Sequence, residues 1–209
     1  MKIIKFFLIS FFIASSIFIA GSMQASAAAP QVYTVVSGDS MWLIASKYQV
    51  GVSEIIGANP QIKNPNLIYP GQQILIPSLS DVKAIENKVF ELVNIERVNN
   101  GVQPLAYNWQ LARVARYKST DMATKGYFSH TSPTYGSPFV MMENFGLSFS
   151  SAGENIAYGQ MTPEDVMNAW MNSPGHRANI LGANFTQIGV GYCTNSNGVP
   201  YWTQQFIRP

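Results

Sequence analysis

The sequence predicts an α+β protein in two parts. The first is a small strand–helix–helix–strand unit over residues 32–77. The second is a larger unit over residues 82–209, with helices packed on both faces of a small sheet. Three observations lead there. Short β-branched and aromatic runs are closed off by Gly, Pro and Asn, as strands are. Apolar residues at helical spacing follow Ser, Thr or Asn, as helices do. The two patterns alternate along the chain.

The small unit opens with Val32-Tyr-Thr-Val-Val, a weakly alternating strand that stops at the Ser37-Gly38 turn. Asp39 or Ser40 can cap a helix running through Tyr48, with Trp42, Ile44, Ala45 and Tyr48 on its apolar face. Ser53 is the expected cap of a second helix through Ala58. Asn59-Pro60 ends it, because a residue before proline avoids helical geometry. After the Pro70-Gly71 turn, Gln73-Ile-Leu-Ile-Pro77 is the closing strand. Residues 78–81 form a brief polar joint.

The larger unit begins with a helix carrying Ile85, Val89, Leu92 and Val93, up to a stop at Asn99-Asn-Gly101. Leu105 and Tyr107 lie on a short extended link. Asn108 caps the next helix, whose stripe is Leu111, Ala112, Ala115 and Met122, with Gly126 just past its end. A short helix between Gly136 and Gly146 is expected to use Phe139, Met142 and Phe145. A strand covers residues 152–157. Thr162-Pro-Glu-Asp starts another helix, with Thr as cap, Pro in the first turn and acids against the helix dipole; Val166, Met167 and Trp170 face inward. Ile188-Gly-Val-Gly-Tyr-Cys and Tyr201-Trp-Thr-Gln-Gln-Phe-Ile are antiparallel strands joined through the Asn195-Ser-Asn-Gly198 hairpin.

The N-terminus carries an export signature. Lys2 and Lys5 precede an apolar stretch from Phe6 to Ala20, and Ala25-Ser-Ala27 is a small-x-small site. This is a secretory signal peptide over residues 1–27, too short to serve as a stable span, and cleavage is expected after Ala27. Its loss removes two lysines and no acids, leaving equal numbers of basic and acidic residues. The full-length pI of ≈ 8.6 therefore gives no case for nucleic acid binding. Cys193 is alone, so an exported chain must rely on packing rather than an internal disulfide, which suits a bacterial surface protein. Its place at the end of an apolar strand reads as a buried structural thiol.

The chain has two histidines. His130 sits in Gly126-Tyr-Phe-Ser-His-Thr-Ser-Pro and His176 in Ser173-Pro-Gly-His-Arg-Ala-Asn-Ile-Leu. Between them, Ser151-Ala-Gly-Glu-Asn-Ile-Ala-Tyr-Gly carries Glu154. Imidazole is the side chain most readily tuned for proton transfer or metal binding near neutral pH. Convergence of the three would make a metal or acid–base site; otherwise they are separate surface groups.

Tyr33-Thr-Val-Val-Ser-Gly-Asp-Ser-Met-Trp-Leu-Ile-Ala, the Asn59-Pro60 break and Leu67-Ile-Tyr-Pro-Gly-Gln-Gln-Ile-Leu-Ile-Pro together resemble a LysM domain across nearly the whole small unit. The resemblance implies a βααβ fold that binds N-acetylglucosamine polymers, peptidoglycan or chitin. It places the sugar groove between Gly38, Asp39, Ser40 and Met41 on one loop and Leu67, Ile68, Tyr69 and Pro70 on the other. Turn backbones there can meet acetamides, and Met41, Ile68 and Tyr69 can offer apolar contact.

In the larger unit, Gly126-Tyr-Phe-Ser-His, Gly153-Glu-Asn-Ile-Ala, Ala169-Trp-Met-Asn-Ser, Gly175-His-Arg-Ala-Asn-Ile-Leu and Tyr201-Trp-Thr-Gln-Gln-Phe resemble the CAP superfamily of cysteine-rich secretory, antigen 5 and pathogenesis-related class 1 proteins. The resemblance covers about residues 85–207 and implies an α-β-α sandwich with a cleft of two histidines and two acids. His130, Glu154 and His176 match three of these; Ser173 stands where the second acid would fall, and nothing aligns Glu143 to replace it. Two neutral imidazoles and a carboxylate could make a zinc set with an open position for water, or a polar cluster without metal.

No zinc-protease helix, nucleophile elbow or phosphate loop is present. The leading expectation is a secreted bacterial cell-wall protein. LysM would bind glycan, and CAP would present its cleft to a ligand or protein partner that the sequence does not name. The alternatives are a LysM-tethered, metal-dependent cell-wall hydrolase or peptidase, and a lipid-binding CAP protein.

Overall fold

The computed structural model describes residues 31–209; the expected signal peptide and its cleavage site lie outside the described residues. In the small unit, β1 (Gln31–Thr34) pairs antiparallel with β2 (Gln73–Ile76), Gln31 opposite Ile76. Two helices pack on this ribbon. The first, α1 (Met41–Tyr48), is capped by Ser40, whose hydroxyl accepts from Leu43 N at 3.2 Å. The second, α2 (Val52–Ala58), starts at Gly51 and ends at Asn59. Val35, Met41, Ile44, Ala45, Val50, Ile55, Ile74 and Ile76 make the core.

Two expectations fail here. Trp42 is 61% exposed, because Met41, Ile44 and Ala45 already define the buried face and Trp42 lies off it. Ser53 lies inside α2 rather than at its cap. Asn59 is fully buried and does more than stop a helix. Its Nδ2 donates to the carbonyls of Ile55 and Leu75, both at 2.7 Å, and its Oδ1 accepts from Leu75 N at 2.8 Å. That one amide ties α2 to β2.

The larger unit is a sheet in the order β3-β5-β6-β4 between two helical layers. Its elements in chain order are α3 (Ser80–Asn99), β3 (Ala106–Tyr107), α4 (Trp109–Lys125), α5 (Pro138–Asn144), β4 (Ser151–Tyr158), α6 (Pro163–Met171), α7 (Pro174–Ile180), β5 (Gln187–Thr194) and β6 (Pro200–Arg208). The extended link at Tyr107 is thus a short strand, and it runs parallel to β5. The β5–β6 and β4–β6 pairs are antiparallel. The sequence reading had no helix at α7, a proline-started helix of about two turns. Phe139 is 45% exposed; Met141 and Met142 take the buried side of α5 instead.

Alternation assigns each face of the sheet. Ile188, Val190, Trp202 and Phe206 meet α3 and α6 through Val89, Val93, Val166 and Trp170. On the other face, Gly189 and Gly191 let α4 lie against the strand. A Cβ on Gly191 would fall 2.1 Å from the Ala115 carbonyl carbon, and one on Gly189 2.2 Å from Ala112 N. β4 is an edge strand, and its outer carbonyls are covered. Asn179 of α7 donates to Glu154 O at 3.2 Å, and the Trp170 indole of α6 donates to Ile156 O at 3.4 Å. A free sheet edge is thereby closed.

Glu86 of α3 is fully buried. It takes two bonds from the Arg116 guanidinium of α4, at 2.8 and 2.5 Å, and one from Tyr192 N of β5 at 3.1 Å. Burial pushes the Glu86 carboxyl up against the opposing pull of Arg116. The joint is shorter than expected, since α3 already begins at Ser80. Polar contacts join the two units: Arg113 of α4 pairs with Glu54 of α2 at 3.2 Å, Ser53 Oγ and Tyr117 OH lie 2.9 Å apart, and Lys83 Nζ donates to Tyr48 O at 3.1 Å.

Candidate functional site

The loop bearing His130 is held from below. α4 ends at Gly126, which takes the left-handed φ of 68° that glycine adopts freely. Lys118, fully buried on α4, sends its ammonium to the carbonyls of Ser129 at 2.7 Å and His130 at 2.8 Å and to Tyr127 OH at 3.2 Å. Burial lowers the Lys118 pKa, while the charges of Glu154 and Asp121 oppose that shift. Asp121, one turn on, accepts from Tyr127 OH, Ser132 Oγ and Thr134 Oγ1 at 2.7, 2.7 and 2.5 Å. Burial alone would raise its pKa. The hydroxyls of Ser132, Thr134 and Tyr127 and the Lys125 ammonium outweigh it and hold the carboxyl below the usual range. This charged pair fixes the backbone on either side of the imidazole.

That imidazole meets β4. His130 Nδ1 lies 2.9 Å from Glu154 Oε1, and Gln205 Nε2 of β6 donates to Glu154 Oε2 at 3.0 Å. The Glu154 side chain is 1% exposed and the His130 side chain 53%. An ionised carboxylate only accepts, so it selects the tautomer with the proton on Nδ1. Nε2 keeps its lone pair on the solvent side. His176 comes from α7 across the β4 edge. Burial lowers its pKa first, and the charge of His130 lowers it further, so the two rings sense each other. Asn155 Nδ2 donates to His176 O and to Gln204 Oε1, both at 3.0 Å, and Asn179 Nδ2 donates to Asn155 Oδ1 at 2.9 Å. These amides lock α7 onto β4. Ser173 occupies the N-cap of α7 without a side-chain cap bond. Glu143 is exposed on α5.

In the small unit, the two candidate loops are built differently. Asp39 accepts from Val36 N at 2.8 Å and Tyr33 OH at 2.7 Å, which pulls its carboxyl below the usual range, and Gly38 turns at φ 93°. Ser40 is occupied as the α1 cap. On the facing loop, Leu67 is 53% and Tyr69 59% exposed, Ile68 packs on the core, and Pro70 leads into the turn. Met41 corrects an expectation. It is 5% exposed and in the core, so it supports its loop rather than offering a contact surface.

The sequence model of the cysteine-rich secretory protein (CAP) family matches residues 90–206, more than half of the chain. The chain belongs to the CAP family. A LysM domain precedes it, matched over residues 33–77. The protein YkwD of Bacillus subtilis (strain 168) is 59% identical over 128 residues, which is 61% of this chain and 49% of YkwD. This chain thus spans about half of that relative. The crystal structure of an extracellular protein containing an SCP domain from Bacillus anthracis str. Ames shares 38% identity and a TM-score of 0.56, over 67% of this chain and 47% of that one. In the LysM part, the secreted LysM effector ECP6 of Passalora fulva is 42% identical over 48 residues, 23% of this chain and 21% of ECP6.

The described residues do not assemble the zinc set read from the sequence. Among the described residues, no group of three His, Cys, Asp or Glu side chains is placed to hold a metal. Glu154 stands behind the His130 ring, on Nδ1, so it orients that ligand rather than adding a third. Two imidazoles alone are an incomplete zinc donor set. The Cys193 thiol of the CAP domain is half-buried rather than buried, 3.3 Å from the carbonyl of Thr194. The sequence reading also missed the residues that hold His130, Glu154 and α7 in place: Lys118, Asp121, Asn155, Asn179 and Gln205. A signal existed for Lys118. It falls on the same helical stripe as Leu111, Ala115 and Met122, where a charge demands a partner.

Proposed function

We propose that this LysM–CAP protein is exported and retained on the N-acetylglucosamine strands of a bacterial cell wall, where its CAP domain presents a His130–Glu154 acid–base cleft. The supporting observation is the complete LysM unit, with Leu67 and Tyr69 exposed opposite the fixed turn at Gly38 and Asp39. An uncharged sugar face suits exposed apolar groups beside turn backbones. The test is co-sedimentation of the chain starting at Gln31 with purified peptidoglycan. The expected result is binding that persists in moderate salt, since little of the recognition is ionic, and a loss of at least fivefold in Leu67→Ala/Tyr69→Ala. Binding that disappears in moderate salt, or that ignores the double substitution, overturns the reading.

A second reading, a cell-wall hydrolase, draws on the dyad geometry. Glu154 holds the Nδ1 proton, Gln205 holds Glu154, and Nε2 of His130 is left as a base able to take a proton from water or a hydroxyl. His176, whose pKa burial lowers, can accept or donate a bond to the same ligand. Loss of peptidoglycan turnover in His130→Gln with unchanged sedimentation would support it. Equal turnover in that variant would remove it.

A further inference from the structure

The loop and the strand that form the dyad also carry two exposed aromatic rings. Phe128 is 46% and Tyr158 52% exposed, with ring centroids 4.8 Å apart at 54°. Tyr158 stacks on Tyr201 at 5.8 Å and 25°, and Tyr201 is buried, so Tyr158 rests on a fixed floor. The positions are tied to the dyad. Phe128 precedes His130 by two residues, about 7 Å of extended chain. Tyr158 follows Glu154 by four residues on the same face of β4, about 13 Å along the strand. Tyr127, between Phe128 and the helix, turns inward to Asp121 and Lys118, which leaves Phe128 pointing away from that anchor. The two adjacent rings make a small exposed aromatic patch beside the dyad.

We infer that Phe128 and Tyr158 form a sugar-stacking shelf that seats a hexosamine of the glycan strand next to His130. The occupant follows from the chemistry. The shelf is aromatic and uncharged, which suits the C–H face of a pyranose. The Tyr158 hydroxyl and the His130 ring edge offer polar groups to its rim. This rests on the proposed glycan reading of the LysM domain. It adds that the glycan strand also reaches the CAP cleft, so the wall polymer is the ligand of both domains.

The experiment uses the chain starting at Gln31 with fluorinated tyrosine, titrated with the N-acetylglucosamine tetramer and followed by fluorine NMR. Tyr69 reports the LysM loop and Tyr158 the shelf, each assigned by its Phe variant. Saturable shifts are expected at both. Phe128→Ala should weaken the Tyr158 response at least fivefold and leave the Tyr69 response and the thermal midpoint unchanged. If Tyr69 responds and Tyr158 does not, the shelf proposal fails and the LysM reading stands. If neither responds, both fail. A Tyr158 response to phosphatidylglycerol vesicles but not to the tetramer also overturns it, in favour of lipid.

Discussion

Lys118 shows what a single buried charge does here. Its ammonium is the donor for two consecutive carbonyls of the His130 loop. Lys118→Met would strand those two carbonyls, at a cost of about 3 kcal/mol, while Asp121 keeps Lys125, 3.4 Å away, as its counter-charge. Chemical denaturation checks the loss, and broadening of the His130 ring resonances checks the loop; full stability in this variant would contradict the arrangement. His176 gives a pH-dependent prediction. Its folded pKa lies below the ordinary 6.5, so unfolded chains bind protons that folded chains refuse. That stability is complete above pH 6.5 and is lost as pH falls through the lowered folded value. The thermal midpoint should fall more steeply below pH 6.5 in the wild type than in His176→Asn; parallel curves would show no linkage. At this scale the sequence displayed His130, Glu154 and His176, because rare residue types in turn-rich motifs are visible. Gln205 and Asn179 were invisible, because an amide acquires its role only from the strand or helix placed across from it.

Helices and strands were legible wherever a local signal sets them. Ser40, Asn108 and Thr162 each accept from the backbone three residues on, as their sequence context predicts. Where packing decides instead, the reading slipped. Trp42 lost its place in the core to Met41. Ser53 was displaced from the cap by Gly51, two residues earlier, and turns toward Arg113 and Tyr117. α7 went unseen, since Ser173-Pro-Gly-His reads as a turn until β4 supplies the surface it covers. The contact of α4 with β5 yields a paired prediction. Gly191→Ala places a methyl into the α4 backbone, which cannot swing aside as a side chain can, and should cost about 3 kcal/mol or more. Gly175→Ala sits in open space on a helix and should be neutral or stabilising by a few tenths of a kcal/mol. Urea titration of both separates close approach from simple glycine replacement. Similar costs for the two would refute the first.

The whole molecule is joined by contacts between distant segments, which no local pattern in the sequence could reveal. Glu86 links α3 to α4 and β5, and leaving one member of a buried ion pair behind costs about 3–5 kcal/mol. Arg116→Met should show that loss in denaturation, and Glu86→Leu/Arg116→Met should recover part of it; no recovery would mean that packing, not the stranded charge, dominates. The contact between the LysM and CAP units is of another kind. Arg113 and Glu54 are only partly buried, so Arg113→Ala should cost under about 1 kcal/mol while loosening the two bodies, seen as separate rotational correlation times in nitrogen relaxation. A single shared time in the variant would show that the polar contact is not what joins them. Asn59 has a consequence for the chemical ageing of the folded chain. Asparagine degrades mainly when the next backbone nitrogen attacks its side-chain amide. Pro60 has no N–H with which to do so, and the amide is already engaged with Ile55 and Leu75. The residue that staples the LysM fold is therefore chemically durable, whereas Asn197, followed by Gly198 in the exposed hairpin, is where slow deamidation should begin, ahead of the exposed Asn100-Gly101, whose side-chain amide is engaged with Glu96 and Arg177.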